Sequence, residues 1–161
     1  MSAQESATTV PDIGRIYRRN ATSIESGADI AAAARLMREK HVGYLIVTEP
    51  GAAASSAKVV GVLTDRDIVM TVVARDADPH SLKVDDVMTR NPLLVAEDGS
   101  LDATLSFMRD AGVRRVPVVG PTGELKGVLC MDDVLERLAQ QLTNIAGSFR
   151  SERRTEEVMR P

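Results

Sequence analysis

Apolar positions recur along this chain in a pattern that is written twice. Ile30, Ala33, Ala34 and Met37 keep the i, i+3, i+4, i+7 spacing of one buried helix face. Leu101, Thr104, Leu105 and Met108 repeat it 71 residues later. The same offset carries Ile13 and Ile16 onto Val84 and Val87, and Val42 and Val47 onto Val113 and Val118. It also carries Asn20-Ala21-Thr22-Ser23-Ile24 onto Asn91-Pro92-Leu93-Leu94-Val95. Further on the offset falls to 66, since Gly61-Val62-Leu63 matches Gly127-Val128-Leu129. The first copy therefore holds five extra residues, and the stretch 49–57, made of breakers and small residues, reads as the flexible turn that contains them.

Each copy predicts the same elements. A short helical turn comes first (12–17; 84–88), then an extended segment (22–24; 93–95) and an amphipathic helix (28–40; 100–111). Two β-branched runs follow, 42–48 with 59–63 and 113–119 with 125–129, the second pair joined by the turn Gly120-Pro121-Thr122-Gly123. A second helix closes each copy (65–75; 131 to about 145). One β-α-β-β-α unit has too little apolar area to be comfortable alone. Two of them, packed about a pseudo-two-fold axis, would bury their sheets against each other. The fold class expected is α/β (α+β). The division expected is a disordered 1–9, a first repeat at 10–77, a second at 78–147 and a charged tail at 148–161. The mixed charges at 150–157 read as a solvated or frayed helix end, with a partner-binding helix as the alternative.

Composition narrows the function. Among 161 residues, 20 are basic and 23 acidic, so the net charge is −3 and there is no global footprint for nucleic acid. Aromatics make up 2%, too few for a base-stacking platform. A single cysteine excludes an internal disulfide and a multi-cysteine zinc site. No run approaches the ~18 apolar residues of a membrane span, and the first residues lack a secretory pattern, so the expected location is cytoplasmic. The acidic pairs Asp65/Asp67, Asp85/Asp86 and Asp132/Asp133 stand at helix starts, where acids are favoured without a metal. No nucleophile is paired with a general base, which argues against an enzyme.

Four segments, in order and repeated, carry a resemblance. They are Val84-Asp85-Asp86-Val87-Met88-Thr89-Arg90-Asn91-Pro92, Val113-Arg114-Arg115-Val116-Pro117-Val118-Val119, Gly61-Val62-Leu63-Thr64-Asp65-Arg66-Asp67, and Gly127-Val128-Leu129-Cys130-Met131-Asp132-Asp133. With them the chain resembles a tandem pair of cystathionine β-synthase (CBS) domains, a Bateman module, over about residues 10–147, and a free-standing one. The resemblance implies a non-enzymatic regulatory module. It would bind an adenine nucleotide or a related adenosyl ligand and pass occupancy to a protein target, which stays unknown.

The residues Thr64-Asp65-Arg66-Asp67 admit two readings. Thr64 after a strand makes a helix N-cap, with Asp67 as the capping-box acid. A carboxylate also accepts from both hydroxyls of a ribose, and the resemblance implies that Thr64 and Asp67 hold one. Arg114 and Arg115 are either solvated charges at a strand start or a phosphate clamp, since guanidinium matches phosphate bidentately. The resemblance implies the clamp, with adenine against Pro92 and Leu93, and Val113 and Pro117 nearby. Two arginines suit AMP or ADP, with ATP as the larger alternative; no cofactor is required.

The symmetry-related site is expected to be degraded: binding a neutral adenosyl group, staying empty and binding weakly are the open alternatives, and ligand in the first site only is the expectation. Cys130 stands where the family has threonine or serine, and Gly43-Tyr44 stands where a basic pair would be; Ala21, Thr22 and Asp133 remain. Cys130 itself reads as a small buried apolar residue. A homodimer is expected, with Ile68-Val69-Val72-Val73 and Val134-Leu135-Leu138-Leu142 as candidate faces. Two rival readings stand beside this one. The first is a ligand-free dimerisation scaffold, in which Thr64 and Asp67 only cap a helix. The second is a nucleic-acid-binding module using Arg114, Arg115 and the tail arginines, against which the net charge speaks.

Overall fold

Asp29 and Ser100, 71 residues apart, start the same helix in the two copies. Each is extended, and its side chain accepts an N–H from the first turn: Ala32 to Asp29 at 2.6 Å, Ala103 to Ser100 at 3.4 Å. The helices are α1 (Ile30–Lys40) and α4 (Leu101–Ala111). Both end on a left-handed residue, His41 (φ 54°) and Gly112 (φ 65°), whose N–H returns to a carbonyl of the last turn. The computed structural model describes residues 13–49 and 57–159, the side chains of 15 and 148–159 excepted. The expected disorder of 1–9 and most of the flexible turn at 49–57 lie outside the described residues.

The β-branched runs pair as their spacing predicts. In the first repeat β1 (Ser23–Glu25) runs parallel to β2 (Tyr44–Glu49), which is antiparallel to β3 (Lys58–Thr64). Strand β3 leads into α2 (Asp65–Thr71) and a 3-10 turn at Val73–Arg75. A short α3 (Val84–Val87) and β4 (Thr89–Arg90) open the second repeat. There β5 (Val95–Ala96) runs parallel to β6 (Arg115–Val119), which is antiparallel to β7 (Leu125–Cys130), and α5 (Met131–Met159) follows. Even the irregularities correspond, with register shifts between Val47 and Thr48 and between Val118 and Val119.

The opening segments change places. Strand β4 pairs with β3 of the first repeat, Thr89 opposite Val62, which gives the order β1-β2-β3-β4. Arg18, 71 residues before Thr89, bridges Val128 of β7 through two 2.9 Å hydrogen bonds. Two glycines make the crossing possible. A Cβ on Gly61 would meet the Met88 sulfur and the Thr89 carbonyl, and one on Gly127 would meet the Arg18 carbonyl and the Tyr17 ring. The cores follow the exchange. Ile13 and Tyr17 are buried with Leu101, Met108, Val116 and Leu129, and Val84 and Met88 with Ile30, Met37, Leu45 and Leu63. Over the described residues the two sequence repeats are thus interlocked in space. Ile46, on the opposite face of β2 from Leu45 and Val47, is as buried as they are, so the sheets are covered on the side between the repeats as well.

One helix departs from expectation. Helix α5 continues to Met159 instead of ending near 145, so most of the expected tail at 148–161 is helical backbone. Between Met131 and Met159 the only strong breaker is Gly147, at roughly 0.5–1 kcal/mol, and no proline occurs before Pro161. The candidate dimer faces split. Val72 and Val134 belong to the core, whereas Val69, Val73, Leu135, Leu138 and Leu142 are exposed, with Met70 and Ile145 beside them. No helix among the described residues is long and apolar enough to cross a membrane.

Candidate functional site

A cleft of about 840 Å³ opens between the end of β3 and the start of β6. Thr64, Asp67, Pro92, Leu93, Val113, Arg114, Arg115 and Pro117 all line it. Thr64, last residue of β3, caps α2: its hydroxyl accepts the Asp67 N–H at 3.1 Å. Asp67 closes the box, its Oδ2 accepting the Thr64 N–H at 2.9 Å and the Thr64 hydroxyl at 2.7 Å. The capping reading is therefore present in the geometry. It occupies one carboxylate oxygen, and Asp67 Oδ1 makes no hydrogen bond among the described residues, so the same side chain keeps an acceptor for a sugar hydroxyl. Arg114 donates from Nη2 to Asp132 Oδ1 at 3.0 Å. Both partners of that pair are largely exposed, and such pairs contribute only about 0–1 kcal/mol, so it holds the guanidinium only weakly.

Several lining residues were missed by sequence reasoning: Val62, Asp65, Arg66, Thr89 and Asn91. Thr89 and Asn91 arrive with the exchanged strand β4, and Asn91 takes a left-handed turn (φ 49°) into Pro92. An asparagine before proline was the available signal, since asparagine tolerates that conformation. Gly43 also lines the cleft, and a Cβ there would lie 2.5 Å from Asp65 Oδ2, so glycine keeps room for that carboxylate.

The symmetry-related cleft is smaller, about 310 Å³, and Ala21, Thr22, Gly43, Tyr44 and Cys130 line it. Asp133 does not; its Oδ1 accepts from Arg18 Nε at 2.7 Å, in an ion pair that reaches across the exchange. The cause is local. Cys130 occupies the position of Thr64 but offers no hydroxyl to close a capping box, and the carboxylate turns to Arg18 instead. Two buried polar atoms have no partner here, Asp133 Oδ2 and the Tyr44 hydroxyl. Burial pushes the Tyr44 phenol up. Burial, and next the Asp133 carboxylate, push the Cys130 thiol up. The expectation that this site lacks a basic pair needs correction. Gly43 and Tyr44 supply none, but Arg18 and Arg115 both line the cleft, along with Asn20, His41 and Asp132. Arg18 comes with the exchanged opening segment, and Arg115 stands at the boundary of the two clefts. Among the described residues no three His, Cys, Asp or Glu side chains gather as metal ligands.

The CBS domain family profile matches twice, over residues 13–74 and 84–140. YlbB of Bacillus subtilis is 34% identical over 77% of this chain and 78% of its own length. The protein MK0525 of Methanopyrus kandleri is 27% identical over 77% of this chain, which covers 61% of that relative. A hexameric CBS-CP12 protein from bloom-forming cyanobacteria superposes with a TM-score of 0.65 at 28% identity, covering 79% of this chain and 67% of the other.

Proposed function

We propose that this chain, which belongs to the CBS-domain family and carries two copies of its domain, is a non-enzymatic module that binds an adenine nucleotide, AMP or ADP, in the larger cleft. The observation that carries the reading is the convergence of three kinds of group on one space. Thr64 and Asp67 offer acceptors for a ribose. Arg114 and Arg115, contributed by the other repeat, offer donors for one or two phosphates. Pro92, Leu93, Val113 and Pro117 offer apolar walls for a base. Among the described residues no histidine or cysteine lines the cleft, and its Thr64 hydroxyl and Asp67 carboxylate are engaged with each other in capping a helix, which supports a binding role. Occupancy would tie the two repeats together and be read by a protein target. We further propose a homodimer, in the cytoplasm, formed through the exposed apolar residues of α2, of the 3-10 turn after it and of α5; the related CBS-CP12 protein is hexameric.

The test is calorimetry of nucleotide-stripped protein with AMP, ADP, ATP, NADH and S-adenosylmethionine. The expected result is saturable binding of AMP or ADP near one per chain, lost in Asp67→Ala and in Arg115→Ala. Folded protein that gives no heat with any of them would leave the ligand-free scaffold as the function. Two nucleotides per chain would assign a ligand to the smaller cleft too.

A further inference from the structure

Tyr44 and Arg115 are counterparts in the internal repeat, the first residues of β2 and β6. The register sets Tyr44 opposite Thr64 and Arg115 opposite Cys130, so each faces the residue that starts the following helix. Both line both clefts. They differ in freedom. Tyr44 is a stiff ring, mostly buried, with its hydroxyl enclosed. Arg115 is an exposed side chain on a flexible stem. Three arginines nearby are paired, Arg18 with Asp133, Arg114 with Asp132 and Arg90 with Asp85, while Arg66 lines the larger cleft and not the smaller. No carboxylate lies within ion-pair distance of Arg115 among the described residues. Its guanidinium acts instead on Cys130, where it counters the upward push of burial and of Asp133 on the thiol.

We propose that Arg115 is one cation shared by the two clefts, so that an anionic group bound in the larger cleft draws it away from the smaller one and decides which ligands the smaller one accepts. Emptied of Arg115, the smaller cleft keeps Arg18 as its one arginine among the described residues, and Asp133 neutralises it. It then favours an uncharged ligand and disfavours a second anion. With the larger cleft empty, Arg115 and Arg18 both remain and an anion is accepted. The two clefts therefore compete for anions, while an anion in one is compatible with a neutral molecule in the other. The identity of the anion as a nucleotide phosphate rests on the function proposed above; the sharing of Arg115 does not.

Cys130 reports on this directly, as the sole cysteine and a lining residue of the smaller cleft. The thiolate is the reacting species, so a thiol that loses a neighbouring cation alkylates more slowly at fixed pH. The experiment follows the rate of iodoacetamide alkylation by mass spectrometry, with ligand binding checked by calorimetry. Saturating AMP is expected to slow alkylation about 3-fold or more, equivalent to roughly half a pKa unit. Saturating adenosine, which lacks the phosphate, is expected to leave the rate unchanged. Arg115→Gln, at an exposed position, should alkylate slowly without any ligand and ignore AMP. The proposal is overturned if AMP binds and the rate stays the same, or if adenosine slows it as much as AMP does. If AMP does not bind, the nucleotide reading fails separately. Inorganic pyrophosphate, which needs only the arginines, then decides the sharing of Arg115: slowed alkylation supports it and an unchanged rate overturns it.

Discussion

Replacing Thr64 by alanine removes a hydroxyl that both donates to Asp67 and receives its N–H. The expected loss is about 1 kcal/mol in urea unfolding, together with weaker nucleotide binding, and Thr64→Ser should restore both. Arg18→Ala acts differently. The Asp133 side chain is only 10% exposed and one of its oxygens already lacks a partner, so removing the guanidinium leaves a buried carboxylate uncompensated. A loss of about 1–3 kcal/mol is expected from the same measurement. The two tyrosines give a pH signature. Both phenols are pushed above the ordinary value of 10, Tyr17 by burial and its hydrogen bond to Glu97, Tyr44 by burial. The folded state holds these protons after the unfolded chain has released them, so stability falls as pH rises past 10. In an alkaline titration, tyrosinate absorbance should lag behind that of free tyrosine and rise together with unfolding. At this scale the larger cleft was legible, because Thr64, Asp67, Arg114 and Arg115 sit beside strand ends that the pattern locates. Arg18 was not, because its partner lies 115 residues away and the exchange alone brings them together.

At the scale of elements, the exchanged strands rest on two glycines. Gly127→Ala forces a methyl against the Arg18 carbonyl, which is backbone and cannot swing aside, and against the Tyr17 ring. A loss of about 1–3 kcal/mol is expected, read as a lowered thermal midpoint. Gly27→Ala meets nothing within 4 Å and should stay within about 0.5 kcal/mol of the parent. The pairing of Gly61 with Gly127 was visible in the sequence as part of the repeat, but its reason was not, since a periodic pattern reports which face is buried and not which segment covers it. Helix α5 shows the complementary blind spot. Past Ile145 the apolar spacing gives way to mixed charges, which remove the burial signal without introducing anything that stops a helix.

For the whole molecule, interlocking makes each repeat depend on the other's opening segment. Ile13 and Tyr17 complete one core, Val84 and Met88 the other. Thermal unfolding should therefore be a single transition by both circular dichroism and calorimetry, despite the two repeats. Association has its own test. Val73 is 64% exposed and Leu138 47%, so the double variant Val73→Glu/Leu138→Glu should keep the fold while shifting sedimentation from dimer to monomer.

Helix α5 has 29 residues, about 43 Å of rigid rod at 1.5 Å per residue, and it starts at Met131, directly after Cys130 on the wall of the smaller cleft. That makes it a lever with a short arm and a long one. A tilt of about 10° at the cleft end carries the far end through about 7 Å, more than one helical turn. Under the proposed function, atomic adjustments around Arg115 and Asp133 would be magnified into a displacement at the tip, where a target could sense it without ever approaching the bound molecule.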